Sequence, residues 1–451
     1  MRFEDDSTWT ADFRDAVGEM EARNPRGKQE FMDMGKISSL AYQLSGARPL
    51  PPGMDHAEAI AELERLLCDR DHSIAFTTLR SHPPSLFALE SDGDLAVLIQ
   101  LSFKIFGFIG SSLPADCPSW SHIWDLWPHI VKWGAVLHPS RRLLVCSLRD
   151  RDQTLHAATN VLLTAYLPII RSNPARVKPF IRSFPAIVLH VLKLWIDFPH
   201  YTKPAITIPT MFSTPHTTHL VLDATLRVAL LLVSEDNHAT PEDRVLFAEL
   251  LRRVVHRKRH LLRTAEWHTN HLRMLAIPPA IFSAVWSLHA KLSYILLDLP
   301  EFEPTMVPRK LVRSLVAGTY HVAMQSWPTE NSSASLVYLI CNLISIPGKG
   351  AKALAHAINA GFTELAKRFG SDVHNDFAGQ ATVGLVHISV LRALRRHYNQ
   401  LPKDPTHLYP LSIPLWHNLV ATYEARLRTY NRIIVRKEWK HAMLCHNAHV
   451  R

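Results

Sequence analysis

Glycine is scarce in this sequence, and cysteine is scarcer still. Only 16 of the 451 residues are glycine, which disfavours strands joined by glycine-rich turns. The five cysteines, at positions 68, 117, 146, 341 and 445, are odd in number and include no close pair. This pattern is typical of a reducing intracellular compartment. We therefore expect a cytoplasmic or nuclear protein.

Motifs that carry common chemistries are also missing. The sequence has no G-x-S-x-G turn, no Walker phosphate loop and no dinucleotide glycine fingerprint, and no cysteine lies in a recognisable nucleophile context. Gly348, Lys349 and Gly350 form a turn that lacks the flanking glycine and hydroxyl of a nucleotide loop. We predict no catalytic activity and no cofactor. An enzyme assembled from scattered residues would need a deep pocket with convergent titratable groups.

Long hydrophobic runs are absent. The best membrane candidate is DLAVLIQLSFKIFGFIG, residues 94 to 110, but Gln100 and Lys104 interrupt it and it is short for a span. The N-terminal MRFEDDSTWTADF is acidic and is neither a secretory signal nor an arginine-rich transit peptide. We predict a buried helix over 94 to 110 and no membrane span.

Helical periodicity dominates what is present. Apolar residues recur at spacings of three and four along the chain, which predicts roughly sixteen helices separated by proline-marked corners. Asp55 and Thr240 each begin a capping pattern with an acidic residue three positions later. Faint similarity between residues 125–139 and 183–199 suggests degenerate repeats. We expect an all-α, armadillo-like or HEAT-like helical stack, that is, an α-solenoid, with a closed multi-helix globule as the alternative.

The sequence also predicts where this stack divides. Residues 197 to 215 hold four prolines among threonine and serine residues, which disfavours a continuous helix. We therefore expect an N-terminal helical half at 1–196, a Pro/Thr-rich connection at 197–215, a C-terminal helical half at 216–445 and a tail at 446–451.

Positive charge is in excess, with a net charge of +10 and 27 further histidines. The most basic segment is RRVVHRKRHLLRTAEWHTNHLR, residues 252 to 273. On one helix beginning at Pro241, its leucines and its cations fall on opposite faces. The predicted outer face carries Arg252, His256, Arg259, His260 and Arg263, and we expect Arg252, Arg259 and Arg263 to bind a partner.

The final helix has a second basic stripe. An apolar seam follows steps of four and three through Trp416, Val420, Tyr423, Leu427, Tyr430 and Ile434. Arg428, Arg432, Arg436 and Lys440 recur every four residues and drift about 40° per step on a helix of 3.6 residues per turn. The seam is expected to pack on other helices, whereas the stripe is the second candidate partner-binding surface.

The tail LCHNAH, residues 444 to 449, contains the weak metal candidates Cys445, His446 and His449. Structural zinc requires four ligands, usually as two pairs, and no second pair follows. The sequence therefore predicts no metal site.

Two segments resemble a group of mushroom-type fungal proteins in which a long helical region precedes a C-terminal MYND-type zinc finger. They are PSWSHIWDLWPHIVKWGAVLHP, residues 118 to 139, and the approach through Trp439 into residues 444 to 449. The resemblance implies a helical scaffold and gives Cys445 the place of a first zinc ligand. Val450 stands where a second cysteine is expected, so zinc is implied only for a chain that continues into the finger. Such a sequence is either truncated or a relative that lost the finger.

These patterns favour a non-catalytic helical scaffold that binds an acidic protein surface through its basic outer faces. The alternative is a nucleic-acid-binding helical-repeat protein that uses the same cations. Oligomeric state does not follow from either pattern.

Overall fold

The structure is a computed structural model, and it is all-helical except for one pair of two-residue strands among the residues that it describes. These residues are 24–69, 71–83, 89–90, 93–114, 116–145, 151–201, 214–255, 257–275, 279–297, 299, 309–324, 330–344, 350–366, 378–396 and 413–448. The predicted all-α class is confirmed. Contacts divide the chain into two compact units, Met1–His256 and Arg257–Arg451.

The elements of the first unit follow one another along the chain. They are α1 (Pro25–Leu44), α2 (His56–Cys68), α3 (Thr77–Arg80), β1 (Leu89–Glu90), α4 (Asp94–Ser112), α5 (Trp120–Leu137), β2 (Leu144–Val145), α6 (Arg151–Ile170), α7 (Pro174–Ser183), α8 (Ala186–Tyr201), α9 (Thr214–Val233) and α10 (Pro241–Val254). Short 3-10 helices lie at Pro139–Arg141 and Glu235–Asn237. The two strands pair in parallel, with Leu89 opposite Leu144.

The second unit is also built from helices. They are α11 (Lys258–Met274), α12 (Pro279–Leu297), α13 (Arg309–Met324), α14 (Glu330–Ile344), α15 (Gly350–Asn359), α16 (Phe362–Ala366), α17 (Ile388–Arg396) and α18 (Ile413–Ala448). Residues 378–384 are helical as well. α12 packs on α14, α13 packs on α11, α14 and α15, and α15 packs on α17.

Helices of the first unit lie in two rows. In one row α1 packs on α4, α4 on α6, and α6 on α9, whereas in the other α5 packs on α8 and α8 on α10. Helices approach closely, both within a row and between the rows, where glycine stands in place of a larger residue. A Cβ atom on Gly107 of α4 would overlap the Thr164 carbonyl oxygen of α6, and one on Gly134 of α5 would overlap the Tyr166 hydroxyl.

Two helix starts are those that the sequence predicts. Asp55 accepts a hydrogen bond from the Glu58 amide at 2.8 Å, and the Glu58 carboxylate accepts one from the Asp55 amide at 3.0 Å. Thr240 and Asp243 form the same reciprocal pair before α10. Each pair satisfies backbone donors that the first turn of a helix leaves free.

The tryptophans of α5 are mainly core residues. Trp120, Trp127 and Trp133 are buried, and the Trp133 indole donates to the Leu79 carbonyl at 3.0 Å. Trp124 is half-buried and stacks on Phe180 of α7, with ring centroids 4.2 Å apart.

The division between the units differs from the predicted one. The sequence places the boundary at 197–215, but α8 continues through Pro199 to Tyr201, and α9 packs on both α6 and α8. Residues 202–213 of the predicted connection lie outside the described residues. The contacts divide the chain after His256 instead. A proline near a helix end interrupts the local backbone but does not by itself separate the helices on either side.

Two helices, Asp94–Ser112 and His216–Val233, are long and apolar enough to cross a membrane by length and composition, and a third span would arise if the bent pair Pro174–Ser183 and Ala186–Tyr201 acted as one. Within the first unit, 61 % of the most apolar stretch of the first helix and 72 % of that of the second are buried. The predicted helix over 94–110 is therefore present and mainly packed against protein.

Candidate functional site

The C-terminal helix α18 packs along only the first part of its apolar seam. Leu419 and Tyr423 are fully buried. Val420 between them is half-buried, and so are Leu427, Tyr430 and Ile434 farther along, where Ile433 keeps 49 % of its surface exposed. The Trp416 side chain lies outside the described residues. The predicted seam therefore leaves apolar surface open over the middle of the helix.

A contact between side chains joins this helix to α17. Arg392 donates to the Tyr430 hydroxyl at 2.8 Å, and its guanidinium carbon lies 5.7 Å from the centre of the Tyr430 ring. The pair combines a hydrogen bond with a cation–π contact.

The basic stripe of α18 faces solvent. Arg428, Arg432 and Arg436 are all exposed, and none forms an ion pair within the described part of the chain. Arg428 donates only to the Glu424 carbonyl of its own helix, at 3.4 Å. At 1.5 Å rise per residue the three span about 12 Å. The Lys440 side chain lies outside the described residues.

The first predicted basic patch is divided. α10 ends at Val254, Val255 has non-helical backbone angles, and α11 begins at Lys258. The single helix predicted from Pro241 is therefore wrong. Arg252 lies in the first unit, whereas Arg259 and Arg263 lie in the second; all three are exposed. His260 is half-buried, and His256 is outside the described residues.

The spacing of the apolar residues does not reveal this break between α10 and α11. Val254 and Leu261 are both buried and lie seven residues apart, which is two turns of one helix. Two helices in phase with each other give the same pattern.

The weak metal candidates are not brought into a site that the structure describes. Cys445 and His446 belong to the last turn of α18, but their side chains, and all of His449, lie outside the described residues. Among the residues that the structure describes, no group of three or more potential metal-ligating side chains occurs.

A cavity that the sequence did not predict lies between the end of α5 and helix α8. It has a volume of about 200 Å³ and is lined by His138, Ser140, Arg141, His190 and Lys193, with Ala135 beside them. His138 is 2 % exposed and His190 is 8 % exposed. Neither the Arg141 nor the Lys193 side chain has a hydrogen-bond or ion-pair partner in the described ranges.

Hydrogen bonds orient both imidazoles of this cavity. His138 Nε2 lies 3.0 Å from the His190 carbonyl oxygen, which can only accept, so Nε2 carries the proton. His138 Nδ1 then accepts from the Ser140 hydroxyl at 2.8 Å and from the Ser140 amide at 3.2 Å. The Tyr166 hydroxyl lies 2.9 Å from His190 Nδ1.

Both histidines are neutral at physiological pH. Burial lowers the pKa of His138 to about 4, and the nearby charges of Lys193 and Arg141 lower this pKa as well. The hydrogen bond to the His190 carbonyl has the opposite effect, which is smaller than that of burial. Burial also lowers the pKa of His190 to about 3, helped by His138, Lys193 and Arg141. The two cations therefore act electrostatically on the interior of the cavity.

The sequence does not reveal this cavity, because the two walls of the cavity are about fifty residues apart in the chain. The only local signal is spacing: His138 with Arg141, and His190 with Lys193, are each three residues apart. On a helix such pairs share a face, but nothing in the sequence shows that the two faces meet.

Comparison with known proteins gives no relative. No protein-family model matches the chain, and neither does any curated protein or any solved structure. The resemblance to fungal MYND-type proteins therefore stays a prediction.

Proposed function

We propose that this protein is a non-catalytic intracellular helical scaffold that binds an acidic protein surface through the exposed face of α18. In this proposal the helices stack in the armadillo or HEAT manner, consistent with the two rows of the first unit. The observation that carries the proposal is the association of three unpaired, exposed arginines with an incompletely covered apolar seam on one helix.

Charge and apolar surface together favour a protein partner. Arginine guanidiniums bind carboxylates through paired hydrogen bonds, whereas Leu427, Tyr430 and Ile433 offer apolar area beside them. An amphipathic acidic helix can bind both surfaces. Its carboxylates pair with the arginines, and its apolar side chains, spaced three and four residues apart as in helix-in-groove recognition, pack on the apolar area. Nucleic acid needs only the cations.

The direct test measures binding of an acidic amphipathic peptide of Glu and Leu to the full chain by fluorescence anisotropy. Replacing Arg428, Arg432 and Arg436 by glutamine should weaken binding about ten-fold, because three exposed ion pairs contribute roughly 0.5 kcal/mol each. The matched control replaces Lys132, Arg142 and Lys291 by glutamine, which gives the same net charge. These three residues are exposed and are distant in sequence from α18. Equal weakening by the control set would show that the stripe has no special role.

The alternative function is binding of nucleic acid by the same arginines. If this alternative holds, a DNA duplex of about 20 base pairs and random sequence should bind more tightly than the peptide. The logarithm of its affinity should fall steeply and linearly with the logarithm of the salt concentration. Ile433→Ser separates the two functions further, since it should weaken peptide binding and leave duplex binding unchanged.

A further inference from the structure

We propose that the cavity between α5 and α8 is a binding site for a small phosphate-bearing molecule. Arg141, Lys193, Ser140 and the Nε2–H of His190 are the groups that hold it. The site lies in the first unit and does not depend on the docking function of α18.

The proton position on His190 follows from the interior around it. Tyr166 is fully buried, and burial raises the pKa of its hydroxyl, so the hydroxyl remains protonated. His190 Nδ1 is its one hydrogen-bond partner within the described ranges. The hydroxyl therefore donates to Nδ1, and the ring carries its own proton on Nε2.

His190 Nε2 has no partner among the described residues, although nine-tenths of the side chain is buried. It is also not one of the side-chain nitrogens that the protein fully encloses. Since His190 lines the cavity and its other nitrogen is bonded to Tyr166, this N–H is the donor that the ring presents to the cavity. A donor in this position can pair only with an acceptor from outside the protein, and a ligand bound in the cavity would supply one.

The charges of the cavity specify an anion. Its lining includes two cations and no carboxylate. A phosphate monoester carries close to two negative charges at neutral pH, which matches the two cations. The guanidinium of Arg141 can bind two phosphate oxygens at once, Lys193 supplies a point charge, and the Ser140 hydroxyl can rotate from His138 towards a third oxygen.

The dimensions of the cavity limit the ligand. Sites for drug-sized molecules measure about 300 to 1,000 Å³, whereas this cavity measures about 200 Å³. A phosphate group with a few additional heavy atoms is of suitable size. A folded peptide or a nucleic-acid helix is excluded by the same comparison.

Isothermal titration calorimetry on the full chain at pH 7 and constant ionic strength tests the proposal with three probes: inorganic phosphate, glycerol 3-phosphate and succinate. We expect both phosphates to bind more tightly than succinate. Tighter binding of glycerol 3-phosphate would identify a monoester as the ligand, and tighter binding of inorganic phosphate would identify the free ion. Equal or tighter binding of succinate would overturn the assignment to phosphate.

Variants locate the binding. Lys193→Gln and Arg141→Gln should each weaken phosphate binding about ten-fold or more, since hydrogen bonds to charged groups contribute about 1.5 to 3 kcal/mol. Ala135→Leu keeps every charge but fills the cavity, and should abolish binding. Lys132→Gln on the same helix α5 is the matched control and should bind as the wild type does. Undiminished binding by the Lys193 and Arg141 variants, or by Ala135→Leu with its helical circular dichroism intact, would refute the site.

Discussion

Tyr166 and His190 are joined by a buried hydrogen bond of 2.9 Å between the two rows of helices in the first unit. The hydroxyl belongs to α6 and the imidazole to α8, and both side chains are almost completely shielded from solvent. This bond fixes the tautomer of His190 and ties the two helices together.

Tyr166→Phe should therefore lower the free energy of unfolding by about 1 to 3 kcal/mol, because His190 Nδ1 is left as a buried acceptor without a donor. Urea unfolding followed by circular dichroism measures the change. Tyr42→Phe removes a hydroxyl from a half-buried ring and should change stability by less than about 0.5 kcal/mol. Similar losses in both variants would show that the Tyr166 hydroxyl contributes nothing particular.

Asp243 anchors α10 to α7. Its fully buried carboxylate accepts from Arg182 at 2.8 and 2.9 Å and from Lys178 at 3.3 Å. Asp243→Asn should cost about 3 kcal/mol, since it leaves a cation partly buried without its counter-charge. Glu249→Gln, on the same helix, breaks an exposed pair with Arg253 and should cost less than about 0.5 kcal/mol.

The Asp243 contribution should also depend on pH. Burial tends to raise the pKa of this carboxyl, but hydrogen bonds from Arg182, the Thr240 amide and Lys178 leave it lowered overall. A carboxyl with a lowered folded-state pKa stabilises fully above its unfolded pKa of about 4, and the stabilisation is lost as pH falls through the folded value. Urea unfolding at pH 7 and pH 3 should therefore show a smaller difference between Asp243→Asn and wild type at pH 3. An equal difference at both pH values would argue against ionic stabilisation.

Gly107 should not tolerate a side chain. In Gly107→Ala the new methyl group would overlap the Thr164 carbonyl of α6, and the backbone cannot yield without separating α4 from α6. We expect a loss of about 1 to 3 kcal/mol in urea unfolding. Gly35→Ala is the matched control, because it lies in α1 with no atom near the new methyl group, and it should stabilise the helix by up to about 1 kcal/mol. Stabilisation by both changes would contradict the close approach.

Mild acid should destabilise the second unit through His289. This imidazole is completely buried between Thr269 and Ser293, and burial lowers its pKa to about 3. Below the unfolded pKa of about 6.5 the unfolded chain binds the proton first, so stability falls by about 1.4 kcal/mol per pH unit and levels off below pH 3.

Hydrogen–deuterium exchange of residues 279–297 between pH 6.5 and 4.5, corrected for the intrinsic rate, measures this effect. His289→Gln should lessen the pH dependence, whereas exposed His72→Gln should leave it unchanged. An identical profile for wild type and His289→Gln would exclude His289 as the cause.

Local patterns predict individual helices well. The starts at Asp55 and Thr240 are confirmed because a capping box depends only on residues three positions apart. The buried helix predicted over 94–110 is confirmed because its apolar residues far exceed what one exposed face could carry. The break after Val254 and the position of the division between the two units were missed. The spacing of apolar residues and the positions of prolines depend on the local backbone, and they do not show which helices touch.

The sequence by itself determined that this chain is helical, where two of its helices begin, and that Arg428, Arg432 and Arg436 share one face. These properties follow from side-chain periodicity and capping, which act over a few residues. Only the tertiary structure decided that His138 and His190 meet beside two unpaired cations, and that Arg252 belongs to a different unit from Arg259. The reason is physical: contacts between distant segments depend on how whole helices pack, and no spacing along the chain records that packing.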